Sequence, residues 1–120
     1  MEFGEAVDLH LAAVKQRDPD AYLATVHDDV ALITPNGKLL AGRDEVAAFH
    51  RDWFDDPDWR WDLTVLRQTV AGDTGIVVLS VDYHDLDSNG APYSMSYVLS
   101  LVFTRSGDGW LLLHDQNTLR

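Results

Sequence analysis

The chain has 120 residues, 46% of them apolar, which suits one globular domain spanning residues 1–120. Twenty acidic and nine basic side chains give a formal charge of −11, which repels phosphate backbones and anionic lipid, so neither nucleic acid nor a membrane is expected as a partner. The absence of cysteine excludes disulfides, thiolate nucleophiles and thiolate metal ligands. No run approaches the roughly 20 apolar residues of a membrane span, and the acidic segment 1–5 does not resemble a signal peptide, so a cytoplasmic protein is expected.

Three helices and one short strand are predicted in the first half of the chain. Apolar residues at helical spacing indicate a first helix, and the pair Asp18-Pro19 interrupts it while providing the N-cap and first residue of the next. The predicted elements are helix 3–17, helix 18–29, strand 30–34, and a third helix that opens at Gly42-Arg43 and closes before Pro57.

The second half predicts four long antiparallel strands, over residues 59–70, 75–87, 93–105 and 110–118. Helices followed by such strands define an α+β fold in which the helices cover one face of the sheet. Two of the strands are apolar on both faces, and three helices are too few to cover both faces. A homodimer is therefore expected, in which the second copy covers the convex face of the sheet. The residues predicted for that face are Val77, Leu79, Val81, Tyr83, Leu111 and Leu113.

Several local motifs occur together in this chain in a characteristic order. They are Asp18-Pro19-Asp20, His27-Asp28-Asp29-Val30, Pro35-Asn36-Gly37, Gly42-Arg43, and Gly109-Trp110 followed by His114-Asp115-Gln116. With these motifs the chain resembles the nuclear transport factor 2-like superfamily, especially its SnoaL-like and ketosteroid-isomerase-like branches. The resemblance implies a cystatin-like cone, with three N-terminal helices packed on a curved, mostly antiparallel sheet and a pocket at the open end.

The resemblance also suggests which face of each strand points into the cone, because the tryptophan of the last strand faces inward in the family. Alternation alone divides a strand into two faces without choosing between them. On the family pattern the inward sets are Ile76, Val78, Ser80, Asp82 and His84; Tyr93, Met95, Tyr97, Leu99, Leu101 and Phe103; and Trp110, Leu112, His114, Gln116 and Thr118.

A histidine beside a carboxylate can act as a general acid/base pair, because the carboxylate orients the ring and stabilises its charged form. Asp82, His84 and His114 are therefore the predicted catalytic residues, although a single histidine is more often structural. Tyr97 and Gln116 are predicted to position the substrate. The other predicted substrate-binding residues are Phe49, Trp53, Trp61 and His10. No role is expected for His27 or His50, which are predicted to lie near the surface.

Two imidazoles and a carboxylate could instead hold a divalent metal, but residues two apart on a strand do not form a recognised ligand motif. No metal and no cofactor are predicted.

Steroid-isomerase chemistry in this family rests on an aspartate before the first-strand proline, a helix-1 tyrosine and a second aspartate. Those positions correspond here to Thr34, His10 and Leu101, so that mechanism is not expected.

The hypotheses that remain concern how a pocket of this kind is used. The leading hypothesis is that the protein binds a small apolar or amphipathic molecule, either as a cofactor-independent acid/base enzyme of isomerase, cyclase or dehydratase type, or without catalysis. The alternative is a dimeric association domain whose convex sheet face is the working surface. The sequence leaves the ligand, the reaction and the choice between these classes open.

Overall fold

The computed structural model describes all 120 residues, which form three helices against one six-stranded sheet. The elements are α1 (Phe3–Lys15), α2 (Pro19–Leu23), β1 (Val26–Ile33), β2 (Leu39–Ala41), α3 (Arg43–Phe54), β3 (Arg60–Ala71), β4 (Thr74–Leu86), β5 (Pro92–Ser106) and β6 (Gly109–Leu119). The strand order is β2-β1-β6-β5-β4-β3, and only β1 and β6 pair in parallel. The predicted α+β fold is confirmed. None of the three helices has the length and apolar character that crossing a bilayer requires.

The second helix is shorter than predicted, because it ends at Leu23 instead of continuing to residue 29. The Thr25 hydroxyl donates a hydrogen bond to the Tyr22 carbonyl at 2.6 Å, which satisfies one of the carbonyls left free at the helix end. Val26, a β-branched residue, then begins β1 and pairs with Leu112 of β6. The helix prediction for residues 24–29 was therefore wrong.

The core lies between α1 and the concave face of the sheet. Phe3 of α1 packs edge-on against Phe103 and Trp110, with ring centroids 5.5 Å and 5.1 Å apart. A Cβ atom at Gly75 would lie 2.4 Å from the Phe3 ring, so this close approach of helix and strand requires glycine at that position. The apolar end of the cone is thereby closed by packed aromatic side chains.

The two faces of β4 are the reverse of those predicted. Val77, Leu79 and Val81 are fully buried and Tyr83 nearly so, while Asp82 is exposed on the outer face. The register explains this result, because β4 pairs with β5 so that Val81 lies opposite Tyr97. Directly opposed residues share a face of the sheet, so the odd-numbered residues of both strands point inward together. The placement of Ile76, Val78, Ser80, Asp82 and His84 inside the cone was wrong.

A β-bulge changes the face of the last strand partway along its length. Phe103 pairs with Leu112, but Val102 pairs with His114, so Leu113 is an extra residue on β6. Before the bulge Trp110 and Leu112 point inward as predicted, and after it the inward residues are odd-numbered. The predicted inward positions of His114, Gln116 and Thr118 were therefore wrong.

Candidate functional site

The three predicted catalytic residues lie on the outer face of the sheet and do not converge. Asp82 Oδ1 accepts a hydrogen bond from the Ser96 hydroxyl at 2.8 Å, and His84 Nδ1 lies 2.8 Å from Ser94 Oγ. His84 and His114 pair with Ser94 and Val102, which are eight residues apart on β5. At about 3.4 Å per residue, the two histidines are therefore roughly 27 Å apart along the direction of the strands. The predicted meeting of these two histidines in one site was wrong.

Other observations agree that these outer-face residues do not form one site. The one side-chain hydrogen bond of His114 joins its Nε2 to Gln116 Oε1, at 3.4 Å. No group of three histidine, aspartate or glutamate side chains is arranged to hold a metal ion, and the chain has no cysteine.

A cavity of about 150 Å³ lies on the concave side, at the end of the cone opposite Phe3. The predicted substrate-binding residues that do line it are His10, Phe49, Trp53, Trp61 and Tyr97. Gln116, the remaining one, is exposed on the outer face. At about 30 Å³ of liquid volume per water, the cavity has room for roughly five waters, and an apolar cavity of about this volume can hold a benzene ring.

Two buried histidines contribute to the polar part of this cavity, and both are held as neutral rings. His10 Nδ1 lies 2.8 Å from the Thr25 hydroxyl, which already donates to the Tyr22 carbonyl, so the network assigns the proton to Nδ1 of His10. His50 Nδ1 donates to the Val46 carbonyl at 2.7 Å. Each ring therefore keeps Nε2 as an acceptor with no hydrogen bond to the protein. The expectation that His50 lies near the surface was wrong, since it is 4% exposed.

Burial also sets the protonation state of both rings. It lowers the pKa of His10 from 6.5 to about 3, with a smaller contribution from the neighbouring His50. Burial lowers the pKa of His50 to about 4, although the hydrogen bond to the Val46 carbonyl favours the charged ring. Near neutral pH, both imidazoles can accept a hydrogen bond from a bound molecule but carry no charge.

Asp115 is the only carboxylate in the lining of the cavity. Its Oδ1 accepts a hydrogen bond from Asn117 Nδ2 at 2.9 Å, while its Oδ2 has no hydrogen bond to the protein and no cation pairs with it. Burial raises the pKa of Asp115 from 3.8 to about 7, against the hydrogen bond from Asn117, which lowers it. Asp115 can therefore gain or lose a proton near neutral pH.

Tyr22 and Tyr97, which also line the cavity, carry hydroxyl groups. The Tyr22 hydroxyl is buried without a hydrogen-bond partner, and its ring stacks on His50 with centroids 3.9 Å apart. The Tyr97 hydroxyl accepts a hydrogen bond from Trp61 Nε1 at 3.0 Å. Burial, and secondarily the nearby Asp115 carboxyl, raises the pKa of Tyr22. Burial likewise raises the pKa of Tyr97 to about 12, so both phenols stay protonated near neutral pH. The Tyr97 hydroxyl has a free proton to donate to a ligand, whereas the Tyr22 hydroxyl is shielded from the cavity.

Sequence reasoning missed Asp115 and Asn117 for one reason and Tyr22 for another. The bulge at Leu113 reverses the face of β6, so the strand pattern assigned Asp115 and Asn117 to the outside. Tyr22 lies in a five-residue helix, which is too short to show a clear apolar stripe.

Comparison with known proteins agrees with this architecture. The family model of the SnoaL-like domain matches residues 4–117. The fold is similar to that of a proposed dehydratase of the nuclear transport factor 2-like family from Streptomyces avermitilis, at 21% identity, with 98% of this chain and 93% of that chain covered and a TM-score of 0.84. A ketosteroid isomerase-like protein from Erwinia carotovora atroseptica is 20% identical, with 98% and 92% covered and a TM-score of 0.77.

A further structural relative is the CaMKII hub of S. rosetta, which is 28% identical, with 97% of this chain and 92% of that chain covered and a TM-score of 0.75. No curated protein is a significant match to the sequence. The family model covers nearly the whole chain, and the three solved structures share its fold. The chain therefore belongs to the SnoaL-like domain family.

Proposed function

We propose that the protein binds a small, largely aromatic or apolar molecule in the cavity, and that this molecule donates a hydrogen bond to Asp115. The observation that carries the proposal is the unpartnered Oδ2 of a buried carboxyl, at the polar end of a cavity lined mostly by apolar side chains. Oδ2 is not one of the side-chain atoms that are sealed from solvent without a partner, so a donor on the ligand can reach it. A hydrogen bond to a charged group is typically worth about 1.5–3 kcal/mol. Few polar groups in an apolar cavity are the usual features of a small-molecule site.

Benzyl alcohol is a suitable neutral probe, because it is small and aromatic and carries one hydroxyl donor. Leu99 is buried and lines the cavity, so Leu99→Phe should fill part of the space that the probe needs. Thr64→Phe adds the same ring on an exposed outer position of β3 and serves as the control. Trp53 and Trp61 line the cavity, so their indole NMR signals report binding.

We expect benzyl alcohol to shift the indole signals of the wild type and of Thr64→Phe, and to bind Leu99→Phe at least about tenfold more weakly. Equal binding to all three proteins would place the probe outside the cavity and contradict the proposed site. A thermal-shift measurement of each variant checks that Leu99→Phe remains folded.

Acid/base catalysis is a second candidate function, and the raised pKa of Asp115 favours it. A carboxyl with a pKa of about 7 is partly ionised near neutral pH and can take a proton from a bound molecule. His10 and His50 would orient the substrate through Nε2, and Tyr97 would donate to an oxygen on which negative charge develops. The resulting reaction would be a cofactor-independent proton transfer of the isomerase, cyclase or dehydratase type.

Deuterium exchange tests this second candidate without knowledge of the natural substrate. Phenylacetone in D₂O exchanges its α-protons slowly, and NMR follows the exchange directly. We expect the wild type to accelerate the exchange, with a rate that rises as the pH passes through about 7, the pKa of Asp115. Asp115→Asn should return the rate to that of buffer, while Asp82→Asn should not. Exchange at equal rates in wild type and Asp115→Asn would remove Asp115 from the catalytic role.

Self-association through the convex face of the sheet is a further proposal, supported by the apolar residues found there. The outer face carries Ile76, Val78, Val98, Val102, Leu111 and Leu113, in place of most of the residues predicted from the sequence. The CaMKII hub is a structural relative with a name that denotes assembly. A second copy of this chain would bury these side chains together, and a stable dimer buries more than about 1,000 Å².

Analytical ultracentrifugation at micromolar concentration tests the dimer. Val102 and Leu113 lie on the outer face, so Val102→Glu with Leu113→Glu should yield a folded monomer. Thr64→Glu, near the edge of the sheet, is the control with an added charge. A monomeric wild type would contradict the proposal.

A further inference from the structure

The wall of the cavity is unusually aromatic. Seven aromatic side chains line it, in addition to the two histidines. Trp53 lies 5.8 Å from Trp61 and 6.3 Å from Tyr83 between ring centroids, and Tyr83 lies 6.3 Å from Tyr93. Phe49 and Tyr93, 37% and 40% exposed, mark the mouth. The faces of such rings carry partial negative charge and attract cations, with tryptophan the strongest of the three types.

A buried carboxylate behind this wall increases its negative potential. Trp53 Nε1 donates to the Tyr83 hydroxyl at 3.0 Å, and that hydroxyl donates to Asp85 Oδ2 at 2.7 Å. The Tyr93 hydroxyl lies 3.5 Å from the same oxygen. Burial alone would raise the pKa of Asp85, but the hydrogen bonds it accepts, led by that from Tyr83, lower it below its usual value. Asp85 is therefore ionised at neutral pH and is placed behind two of the rings.

No positive charge balances this potential inside the cavity. No lysine or arginine lines it, and its two histidines are neutral near pH 7. The free acceptors among the lining residues include Asp115 Oδ2 and Nε2 of each histidine. An anion would find a free donor in the Tyr97 hydroxyl but would otherwise meet these acceptors and the faces of aromatic rings, which do not stabilise it. An ammonium group can donate to all three acceptors.

We propose that the ligand of this cavity is a small protonated amine with an aromatic or branched apolar body, whose ammonium group pairs with Asp115 while its body packs on Trp53, Trp61 and Tyr83. This inference rests on the proposed binding function and adds the charge of the ligand. Asp115 supplies the negative partner, and His10 and His50 accept the remaining N–H groups. The overall charge of −11 also raises the local concentration of cations around the protein.

Three probes of similar shape separate the effect of charge from that of fit: benzylammonium, benzyl alcohol and benzoate. Titration calorimetry at pH 7.5 should give the tightest binding for benzylammonium, binding at least about tenfold weaker for benzyl alcohol, and none for benzoate. Asp115→Asn should remove the preference, so that the amine binds no better than the alcohol. Asp82→Asn removes the same charge from the outer face and should leave all three affinities unchanged.

Proton release gives a second, independent measurement. Near pH 6.5 Asp115 is largely protonated in the free protein, so an ammonium group that pairs with the carboxylate must displace its proton. Calorimetry in two buffers of different ionisation enthalpy should detect proton release on binding of benzylammonium to the wild type, but not to Asp115→Asn. Benzyl alcohol should release none.

The outcomes distinguish this inference from the proposed function. If benzyl alcohol binds in the cavity as tightly as benzylammonium, or if the preference for the amine survives in Asp115→Asn, the cationic ligand is refuted while the binding cavity stands. If neither benzyl alcohol nor benzylammonium binds, both proposals fail. Tightest binding of benzoate would reverse the charge of the ligand and overturn the inference.

Discussion

Replacing Asp115 by asparagine should stabilise the protein above neutral pH. The folded protein holds the Asp115 proton up to a pKa of about 7, whereas the unfolded chain releases it at about 3.8. The protonated carboxyl therefore contributes stability that is fully present below pH 3.8 and is lost as the pH rises through 7. A difference of about 3 units is worth about 4 kcal/mol at 1.36 kcal/mol per unit. Asparagine has nearly the same shape as the protonated acid and does not ionise.

Urea unfolding at pH 5 and pH 8 measures this effect. Two of the roughly three units of the shift fall between pH 5 and pH 7, so the stability of Asp115→Asn relative to wild type should increase by about 3 kcal/mol between the two conditions. All other titrating groups are common to both proteins and cancel in the comparison. Asp82→Asn, on the exposed outer face, should change stability by no more than about 0.5 kcal/mol at either pH.

An equal stability difference at pH 5 and pH 8 would refute the reasoning. It would mean that the Asp115 carboxylate is stabilised in the folded protein as well as it is in water. The raised pKa would then be wrong, and the catalytic candidate would lose its main support. The amine inference would lose its proton-release test but keep its argument from the aromatic wall and the absence of cationic side chains.

Two further predictions concern acid stability and helix packing. Burial lowers the pKa of His10 and of His50, so as the pH falls these rings are protonated in the unfolded chain before they are protonated in the folded protein. Their contribution to stability is therefore fully present above about pH 6.5 and is lost at lower pH. Urea unfolding is best measured in Asp115→Asn, because the Asp115 carboxyl has the opposite pH dependence. We expect the free energy of unfolding to fall by about 1.4 kcal/mol per histidine per pH unit between pH 6 and 4.5, and His50→Asn should halve this loss. Gly75→Ala should destabilise by about 1–3 kcal/mol, because the added Cβ would lie 2.4 Å from the Phe3 ring. Gly109→Ala, with its nearest neighbour at 3.8 Å, should cost less than about 0.5 kcal/mol in the same assay.

The elements could be predicted from the sequence because their signals are local. Pro19 after an N-cap aspartate, glycine in the turns and long runs of β-branched and aromatic residues each act over a few residues. The short strand β2 and the early end of α2 were missed, since three residues and five residues are too few to show a period. The aromatic residues Phe49, Trp53, Trp61 and Tyr97 were correctly placed near one another.

The orientation of β4 was within reach of sequence reasoning. The hairpin between β4 and β5 pairs Leu86 with Pro92, so residues of the same parity oppose each other along both strands. Once the odd-numbered residues of β5 were assigned to the interior, those of β4 had to follow. The assignment of Asp82 and His84 to the pocket conflicted with that pairing, and the hairpin geometry would have corrected it.

The orientation of β6 after Leu113 is a different case, because a bulge depends on how the strand meets its neighbours. Leu111, Leu112 and Leu113 are identical side chains, and nothing in that run marks which of them is the extra residue. The bulge lies between the part of β6 that packs in the core and the part that reaches the cavity. The single extra residue exchanges the side chains on the two faces of the strand from that point onward. Without it, the imidazole of His114 would lie inside and the carboxyl of Asp115 outside. The chemistry available in the cavity, a carboxyl titrating near neutral pH and able to pair with a cation, therefore depends on one irregularity in strand pairing.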